Sequence, residues 1–307
     1  MGTPAFAVAG LHGILESPHE VVAIVTAPDR PAGRGKKLRF SAVKEEALAQ
    51  DIPLLQPEKL NDKNIINQLK AFNADVFVVV AFRMLPKVIW KIPPLGTFNL
   101  HASLLPHYRG AAPIHWAIIN GEKETGLTTF LIDEKIDTGS ILLQKSIAVN
   151  PEETMGELSL RMQALSGEMI VNTLDDLTKE STIAIPQPNS KDLVPAPKLT
   201  RENTRVDWGK NGQDIVNQIH GLNPFPTAWS MLEFSDEELY VKLKRAHFIV
   251  GTPINPPGTI TIEDQQLNVA VSDGYVYVDE LQLPNKKSME TDALLNGFHF
   301  PEKCRFV

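Results

Sequence analysis

Apolar and polar positions follow two alternating periods in the first half of the chain. Short apolar runs bounded by turn residues predict buried strands, and longer runs with apolar residues three or four apart predict helices. The predicted strands are residues 20–27, 52–57, 74–82, 96–101, 127–133 and 139–149, and the predicted helices are 41–50, 62–72, 113–119 and about 153–179. Strands alternating with helices predict an α/β domain with a mostly parallel sheet.

The pattern changes after residue 181. Residues 182–200 are rich in proline and have little periodicity, which predicts an interdomain linker. One helical segment follows, and then short alternating runs predict a small, mainly antiparallel β-domain, which we interpret as a barrel. We therefore predict an N-terminal domain over residues 1–181, a linker over 182–200 and a C-terminal domain over 201–307.

The chain opens unusually for an α/β domain. The segment "MGTPAFAV" begins with turn residues and passes directly into a predicted helix, where a buried strand is the usual first element. We expect a first strand to precede the recorded sequence. Its loss would expose the edges of two neighbouring strands and prevent folding.

Composition narrows the class of protein. The single cysteine, Cys304, excludes an intramolecular disulfide framework and a cysteine metal cluster, and it favours a reducing, cytoplasmic setting. No apolar run approaches the roughly 20 residues that span a bilayer. The sequence has no P-loop, no HExxH metal motif and no GxSxG nucleophile elbow. We expect no metal and no membrane partner.

A net charge of −7 opposes general binding to nucleic acid, but one segment is locally basic. Residues 27–40, "APDRPAGRGKKLRF", contain five Lys and Arg residues against a single acid. Glycine and proline predict an exposed loop here. The basic positions are Arg30, Arg34, Lys36, Lys37 and Arg39.

Two polar residues, Asn99 and His101, interrupt the apolar strand at residues 96–101. Alternate side chains share one face of a strand, so these two stand side by side at its carboxyl end. Ligands of open α/β sheets bind at this edge. The alternative is that both are hydrogen-bonded core residues, since buried polar groups are usually satisfied structurally.

Asp137 is the third candidate catalytic residue. It lies in the short loop of "LIDEKIDTGSILL" between two apolar runs, where it could equally be a turn aspartate that accepts backbone hydrogen bonds. Together the three residues suit acyl transfer to an amine. An Asn amide can stabilise an oxyanion, a His can move protons, and an Asp can orient and charge the His. Without an activated Ser or Cys nearby, direct transfer is favoured over a covalent intermediate.

At this point the sequence resembles the methionyl-tRNA formyltransferases, a branch of the folate-dependent formyltransferase superfamily, over essentially its whole length. The long segment around His101 is specific for the superfamily, and the basic segment and "NPFPTAW" narrow the resemblance to the tRNA branch. The matching segments are "MGTPAFAV", "APDRPAGRGKKL", "FNLHASLLPHYRGAAPIHWAI", "IDEKIDTG", "NPFPTAW" and "LQLPNKKSM".

The resemblance implies a Rossmann-like N-terminal domain, an OB-like C-terminal barrel, and transfer of formyl from 10-formyltetrahydrofolate to the α-amino group of initiator methionyl-tRNA. The positions matching Asn99, His101 and Asp137 are the family's catalytic residues. The family's folate site matches Ala81, Phe82, Arg83, Met84, Leu85, Ser103, Leu104, Leu105 and Pro106. Its basic loop, which contacts the acceptor stem, matches Arg34, Lys36 and Lys37. Family members begin about half a dozen or more residues earlier, with a central strand.

Some points stay open at this level. Many relatives have Tyr-Gly where this chain has Phe82 and Arg83. The C-terminal domain is acidic overall, so any tRNA contact there needs a restricted patch. The candidates are Lys242, Lys244 and Arg245 on one strand, or Lys286 and Lys287, and for each cluster solvated surface charge is the alternative. The alternative functions are a sugar-nucleotide formyltransferase, a glycinamide ribonucleotide formyltransferase, which would not need the second domain, a formate-releasing hydrolase and an inactive RNA-binding protein. We expect a monomer.

Overall fold

The computed structural model describes residues 1–32, 37–179, 183–188, 190–235, 237–301 and 303–307. The helices lie at α1 Ala5–Leu15, α2 Ala42–Ala49, α3 Lys63–Ala71, α4 Lys87–Trp90, α5 Pro113–Ile119, α6 Met155–Thr178, α7 Gly212–Gly221 and α8 Thr291–Leu295. The strands lie at β1 Ile24–Val25, β2 Arg30–Ala32, β3 Lys37–Arg39, β4 Leu54–Leu55, β5 Phe77–Val80, β6 Thr97–His101, β7 Arg109–Gly110, β8 Glu124–Leu131, β9 Ile141–Ala148, β10 Pro195–Ala196, β11 Ala228–Phe234, β12 Glu237–Val250, β13 Ile260–Glu263, β14 Gln266–Val271, β15 Gly274–Gln282, β16 Met289–Glu290 and β17 Arg305–Phe306.

Side-chain caps start several of the predicted helices where the sequence places them. Ser41 accepts the Lys44 N–H at the start of α2, and Asn211 accepts the Asp214 N–H at the start of α7. Helix α6 begins with a reciprocal pair, in which Thr154 accepts the Glu157 N–H and the Glu157 carboxylate accepts the Thr154 N–H. These caps satisfy backbone donors that a helix leaves free at its first turn.

The chain divides into two compact units, which are described separately. The first comprises residues 1–110, 125–147 and 159–195, and the second comprises 111–124, 148–158 and 196–307. The predicted domain boundaries at 181 and 201 stay a prediction.

In the first unit, β5 and β6 pair in parallel and β8 pairs antiparallel to β6, with β9 next in the sheet. Strands β1 and β4 form a parallel pair. Residues 1–2 lie between the two sets, because Gly2 donates to Val25 and Val80 donates to Met1. The α/β fold with a mostly parallel sheet is confirmed.

Strand β1 is shorter than the predicted strand over residues 20–27. Its backbone pairs with β4 over two residues, flanked by hydrogen bonds from Ile24 to Pro53 and from Thr26 to Leu55, and Val25 accepts the Gly2 N–H. Val21 and Val22 instead line a cavity of about 350 Å³, together with side chains of α1 and β5.

In the second unit, an antiparallel sheet runs in the order β13-β14-β15-β12-β11-β17, with β16 on β15. Thr259, beside β13, bridges to Arg305 of β17, so the two ends of this order meet. The enclosed core includes Trp208 stacked on Phe306 at 5.3 Å and buried side chains of α7. This curled sheet confirms the predicted OB-like barrel.

Helices α1 and α6 cross where both carry glycine. A Cβ on Gly13 would lie 2.4 Å from the Gly167 Cα, and a Cβ on Gly167 would lie 3.0 Å from the Gly13 Cα. Because the obstructing atoms are backbone, the helices would have to separate to admit a side chain. The close approach therefore depends on glycine at this crossing.

We predict that Gly13→Ala lowers the free energy of unfolding by about 3 kcal/mol, at the upper end of overpacking costs, although alanine is the better helix former. Thermal denaturation of purified protein would measure the change. Gly297→Ala is the matched control, because nothing lies within 4 Å of its added Cβ. Equal melting temperatures for the two variants would contradict the prediction.

Candidate active site

The parallel pairing of β5 and β6 sets the position of the site. Val79 is opposite Asn99 and Val80 is opposite Leu100, so the two strands end at the same edge of the sheet. The segments that follow them, 81–85 and 102–106, therefore leave the sheet next to each other. This is the edge at which parallel sheets bind ligands.

Asn99 is partly buried on β6, next to Val79 of β5 and Phe130 of β8. Among the described residues, its side-chain amide has no hydrogen-bond partner. The interpretation of Asn99 as a hydrogen-bonded core residue is therefore not supported. The amide keeps two donors and an acceptor for a bound molecule.

His101 is buried, and its protonation pattern follows from one contact. Nε2 lies 2.8 Å from the carbonyl oxygen of Tyr108. A carbonyl can only accept, so Nε2 carries the proton and neutral His101 presents the lone pair of Nδ1. The ring is also held edge-on to Phe130, with centroids 6.4 Å apart.

Asp137 is the residue on the other side of Nδ1. Its Oδ2 lies 3.8 Å from His101 Nδ1 and accepts a hydrogen bond of 2.9 Å from the Gly110 N–H. The Asp137 backbone has a φ of +54°, a conformation that Asp adopts more readily than most residues. Asp137 is thus both a turn residue and a charge next to the histidine, so the two readings of the sequence do not exclude each other. Protonation of Nδ1 would create an ion pair.

The segment after β6 is fixed by side chains of the neighbouring strands. The buried Thr128 hydroxyl of β8 donates to the Ser103 carbonyl at 2.6 Å and accepts the Leu105 N–H at 3.2 Å. Gln144 of β9 donates to both the Leu105 carbonyl and the Thr128 hydroxyl. Ser103 uses its own hydroxyl to donate to the His107 carbonyl at 2.8 Å. Ser103 and Leu105 of this segment are thereby held to the sheet.

The segment after β5 has a different anchor. Arg83 donates to the carbonyl oxygens of Pro57 and Glu58, and its guanidinium lies 5.5 Å from the centre of the Phe82 ring. Leu85 is buried, whereas Met84 is 67% exposed. The Arg83 side chain therefore ties this segment to residues 57–58.

Comparisons with known proteins show the family to which this chain belongs. Residues 1–174 match the family "Formyl transferase" and residues 198–299 match "Formyl transferase, C-terminal domain". A methionyl-tRNA formyltransferase of Flavobacterium johnsoniae is 47% identical over 305 residues, which cover 99% of this chain and 97% of the relative. One from Bacteroides fragilis is 45% identical, with 98% of this chain and 95% of the relative covered.

The chain belongs to the methionyl-tRNA formyltransferase family. A solved N-formyltransferase of Helicobacter canadensis, in complex with folinic acid and dTDP-3-aminofucose, shares the fold at a TM-score of 0.64 and 20% identity, with 92% of this chain and 97% of that chain covered. At that identity the likeness concerns the fold alone.

The basic residues that the sequence indicates are distributed unevenly in the structure. Arg34 and Lys36 lie outside the described residues, and only the backbone of Lys37 is described, in β3. Lys242 lies on β12 opposite Trp229 of β11. Lys244, two residues further, is 3.6 Å from the Glu280 carboxylate, which offsets part of its charge.

The sequence pattern did not indicate two further exposed cations, Arg201 and Arg205, which share one aromatic neighbour. The guanidinium groups of Arg201 and Arg205 lie 5.2 and 5.6 Å from the centre of the buried Trp229 ring, and Tyr240 stacks on that ring at 5.0 Å. Both arginines are exposed. Their spacing in the sequence gives no sign of a shared aromatic neighbour 24 or more residues away.

The described residues contain no cluster of three or more His, Cys, Asp or Glu side chains arranged for a metal ion. Within the same residues, no helix combines the length and apolar character needed to cross a bilayer.

We predict that Thr128→Val lowers the free energy of unfolding by about 1–3 kcal/mol, because it leaves the Leu105 N–H and the Ser103 carbonyl without their buried partner. The Leu105 amide hydrogen should also exchange faster with solvent. Thermal denaturation and hydrogen-exchange mass spectrometry measure the two effects. Thr128→Ser keeps the hydroxyl and serves as the control; equal exchange in both variants would count against this anchor.

Proposed function

We propose that this protein transfers the formyl group of 10-formyltetrahydrofolate to the α-amino group of initiator methionyl-tRNA, by direct attack of the amine on the formyl carbon. The proposed acceptor substrate is supported by 47% identity with a methionyl-tRNA formyltransferase over nearly the whole of both chains. The free Asn99 amide and the Nδ1 lone pair of His101 support the chemistry.

The residues at the carboxyl ends of β5 and β6 suit a bound folate. When bound, 10-formyltetrahydrofolate supplies an activated formyl group. The residues proposed to hold it are Ala81 to Leu85 and Ser103 to Pro106. Exposed Met84 offers an apolar surface, and Ala81, exposed with a φ of +48°, presents backbone groups at the end of β5. Apolar walls with a few polar groups suit a flat heteroaromatic ring.

Three side chains then divide the work of transfer. Asn99 donates a hydrogen bond to the formyl oxygen as negative charge develops there. His101 Nδ1 accepts the proton that the attacking amine loses, while Nε2 stays bound to the Tyr108 carbonyl. When the bond between the formyl carbon and the folate nitrogen breaks, the protonated His101 returns that proton to the leaving nitrogen. Asp137, 3.8 Å from Nδ1, stabilises the resulting imidazolium. Ser103 is occupied with the His107 carbonyl, so it is not a base-activated nucleophile.

For tRNA, we propose that Arg34, Lys36 and Lys37 contact the acceptor stem and that Lys242 and Lys244 contribute on the barrel. The exposed Arg201 and Arg205 increase the positive charge near Lys242, which supports this surface. Backbone phosphates are the expected partners of such charges. A cytoplasmic location is expected, in line with the single cysteine. A monomer stays the expected oligomeric state.

The direct test is formyl transfer from 10-formyltetrahydrofolate to charged initiator methionyl-tRNA, with uncharged tRNA and elongator methionyl-tRNA as controls. We expect product on the charged initiator alone. A dTDP-amino sugar is the competing acceptor. Product on the sugar and none on the tRNA would replace the proposed function with the alternative one.

We predict that Asn99→Ala and His101→Ala each lower the rate of formyl transfer by about 10² to 10⁴, the range for a lost oxyanion donor or general base. Single-turnover measurements with saturating folate and tRNA isolate this step. Folate binding should be retained in both variants. A wild-type rate in either variant would exclude that residue from the chemistry.

We predict that Arg34→Ala raises the KM for methionyl-tRNA with little change in folate affinity. It should also reduce by about one the slope of log kcat/KM against log salt concentration, since one phosphate contact is lost. Lys70→Ala removes an exposed cation on α3 and is the control. An unchanged salt slope would remove the assignment of this loop to tRNA.

A further inference from the structure

Gln187 lies in the segment that the sequence predicts to be a linker, yet its side chain makes four hydrogen bonds within the first unit. Oε1 accepts from Nε and Nη2 of Arg109, at 3.0 and 2.6 Å. Nε2 donates to the carbonyl oxygens of Asp137 and Gly139, at 3.0 and 2.7 Å. Guanidinium groups only donate and carbonyls only accept, so the amide can have only this orientation.

The four bonds use both lone pairs and both hydrogens of the amide. The backbone close to Gln187 is also fixed. Ile185, two residues earlier, exchanges two backbone hydrogen bonds of 2.8 Å with Ile141. The segment thus pairs with β9 at this point and carries Gln187 to the Asp137 turn. Such a saturated contact is geometrically specific.

These contacts close a ring around Asp137. Gly110, next to Arg109 in sequence, donates its N–H to the Asp137 carboxylate at 2.9 Å. Gln187 holds the Asp137 carbonyl from the other side and Arg109 at the same time. The backbone and the carboxylate of Asp137 are both restrained. Gly139 of this turn packs closely against β8, since a Cβ there would lie 1.6 Å from the Leu131 carbonyl oxygen.

We propose that Gln187, held by Arg109, is a positioning residue that fixes the Asp137 carboxylate at its working distance from His101, and this inference rests on the proposed function. Oδ2 lies 3.8 Å from Nδ1, so a small movement of the turn changes the interaction with the imidazolium substantially. Displacements of about 1 Å can cost 10²-fold in rate. Gln187 touches no reacting atom and acts through Asp137.

The test is Gln187→Glu, which keeps the size of the side chain and an acceptor for Arg109. The second carboxylate oxygen would face the carbonyls of Asp137 and Gly139, acceptor against acceptor, and the turn would move. We expect the single-turnover rate of formyl transfer to fall about 10- to 100-fold, with KM for folate and for tRNA within about twofold of wild type. Gln68→Glu, on the exposed face of α3, introduces the same charge and should keep the wild-type rate.

A double-mutant cycle distinguishes positioning from general destabilisation. In the Asp137→Ala background, Gln187→Glu should cause little further loss of rate. The same fold-loss in both backgrounds would overturn the proposal, as would a wild-type rate for Gln187→Glu. Circular dichroism and the melting temperature establish that each variant is folded.

Arg109→Met gives a second route if Gln187→Glu does not fold. It removes both donors to Oε1 and leaves the bonds from Nε2 in place, so we expect a smaller rate loss that disappears in the Asp137→Ala background. Persistence of the loss there would refute the proposal. An inactive wild-type enzyme would instead refute the proposed function, which keeps the two failures distinct.

Discussion

The hydrogen bond from His101 Nε2 to the Tyr108 carbonyl determines what the site can do. It fixes the neutral tautomer of a buried histidine and leaves the lone pair of Nδ1 as its only basic position. Nδ1 is also the atom that faces Asp137. If the Tyr108 carbonyl were elsewhere, Nε2 could become the base, and the carboxylate would be on the wrong side of the ring. The segment that follows β6 supplies both the Tyr108 carbonyl that holds Nε2 and the Gly110 N–H that holds the Asp137 carboxylate.

Strand β8, which is antiparallel to β6, and its neighbour β9 supply hydrogen-bond partners at this edge of the sheet. Loops at the ends of parallel strands have no ladder of their own, and their polar backbone groups need partners. Thr128 and Gln144 supply those partners to the segment after β6. Arg83 does the same for the segment after β5, through carbonyls of residues 57–58. Side chains of one element thus replace backbone pairing in another.

Local patterns in the sequence predict much of the fold and part of the candidate site. The α/β alternation, the barrel and most helix positions follow from periodicity and caps, and the alternation of strand residues places Asn99 beside His101. The turn sequence between two apolar runs indicates Asp137 as a candidate. Its contact with His101 spans 36 positions, so the sequence allows that contact to be inferred only from the chemistry of the two side chains. The resemblance to a family, and not periodicity, supplied the folate and the tRNA.

Gln187 shows where such reasoning stops. Proline content predicts that its segment is a linker, and it says nothing about a side chain whose partners are 48 to 78 positions away. Contacts of that separation arise only when the fold is complete, because each bond depends on the placement of β9, the Asp137 turn and Arg109 together. A proline on either side of Gln187 fixes the local backbone, which reduces the entropy lost in holding the amide in place. The same prolines that suggest a passive connection therefore favour a precise one.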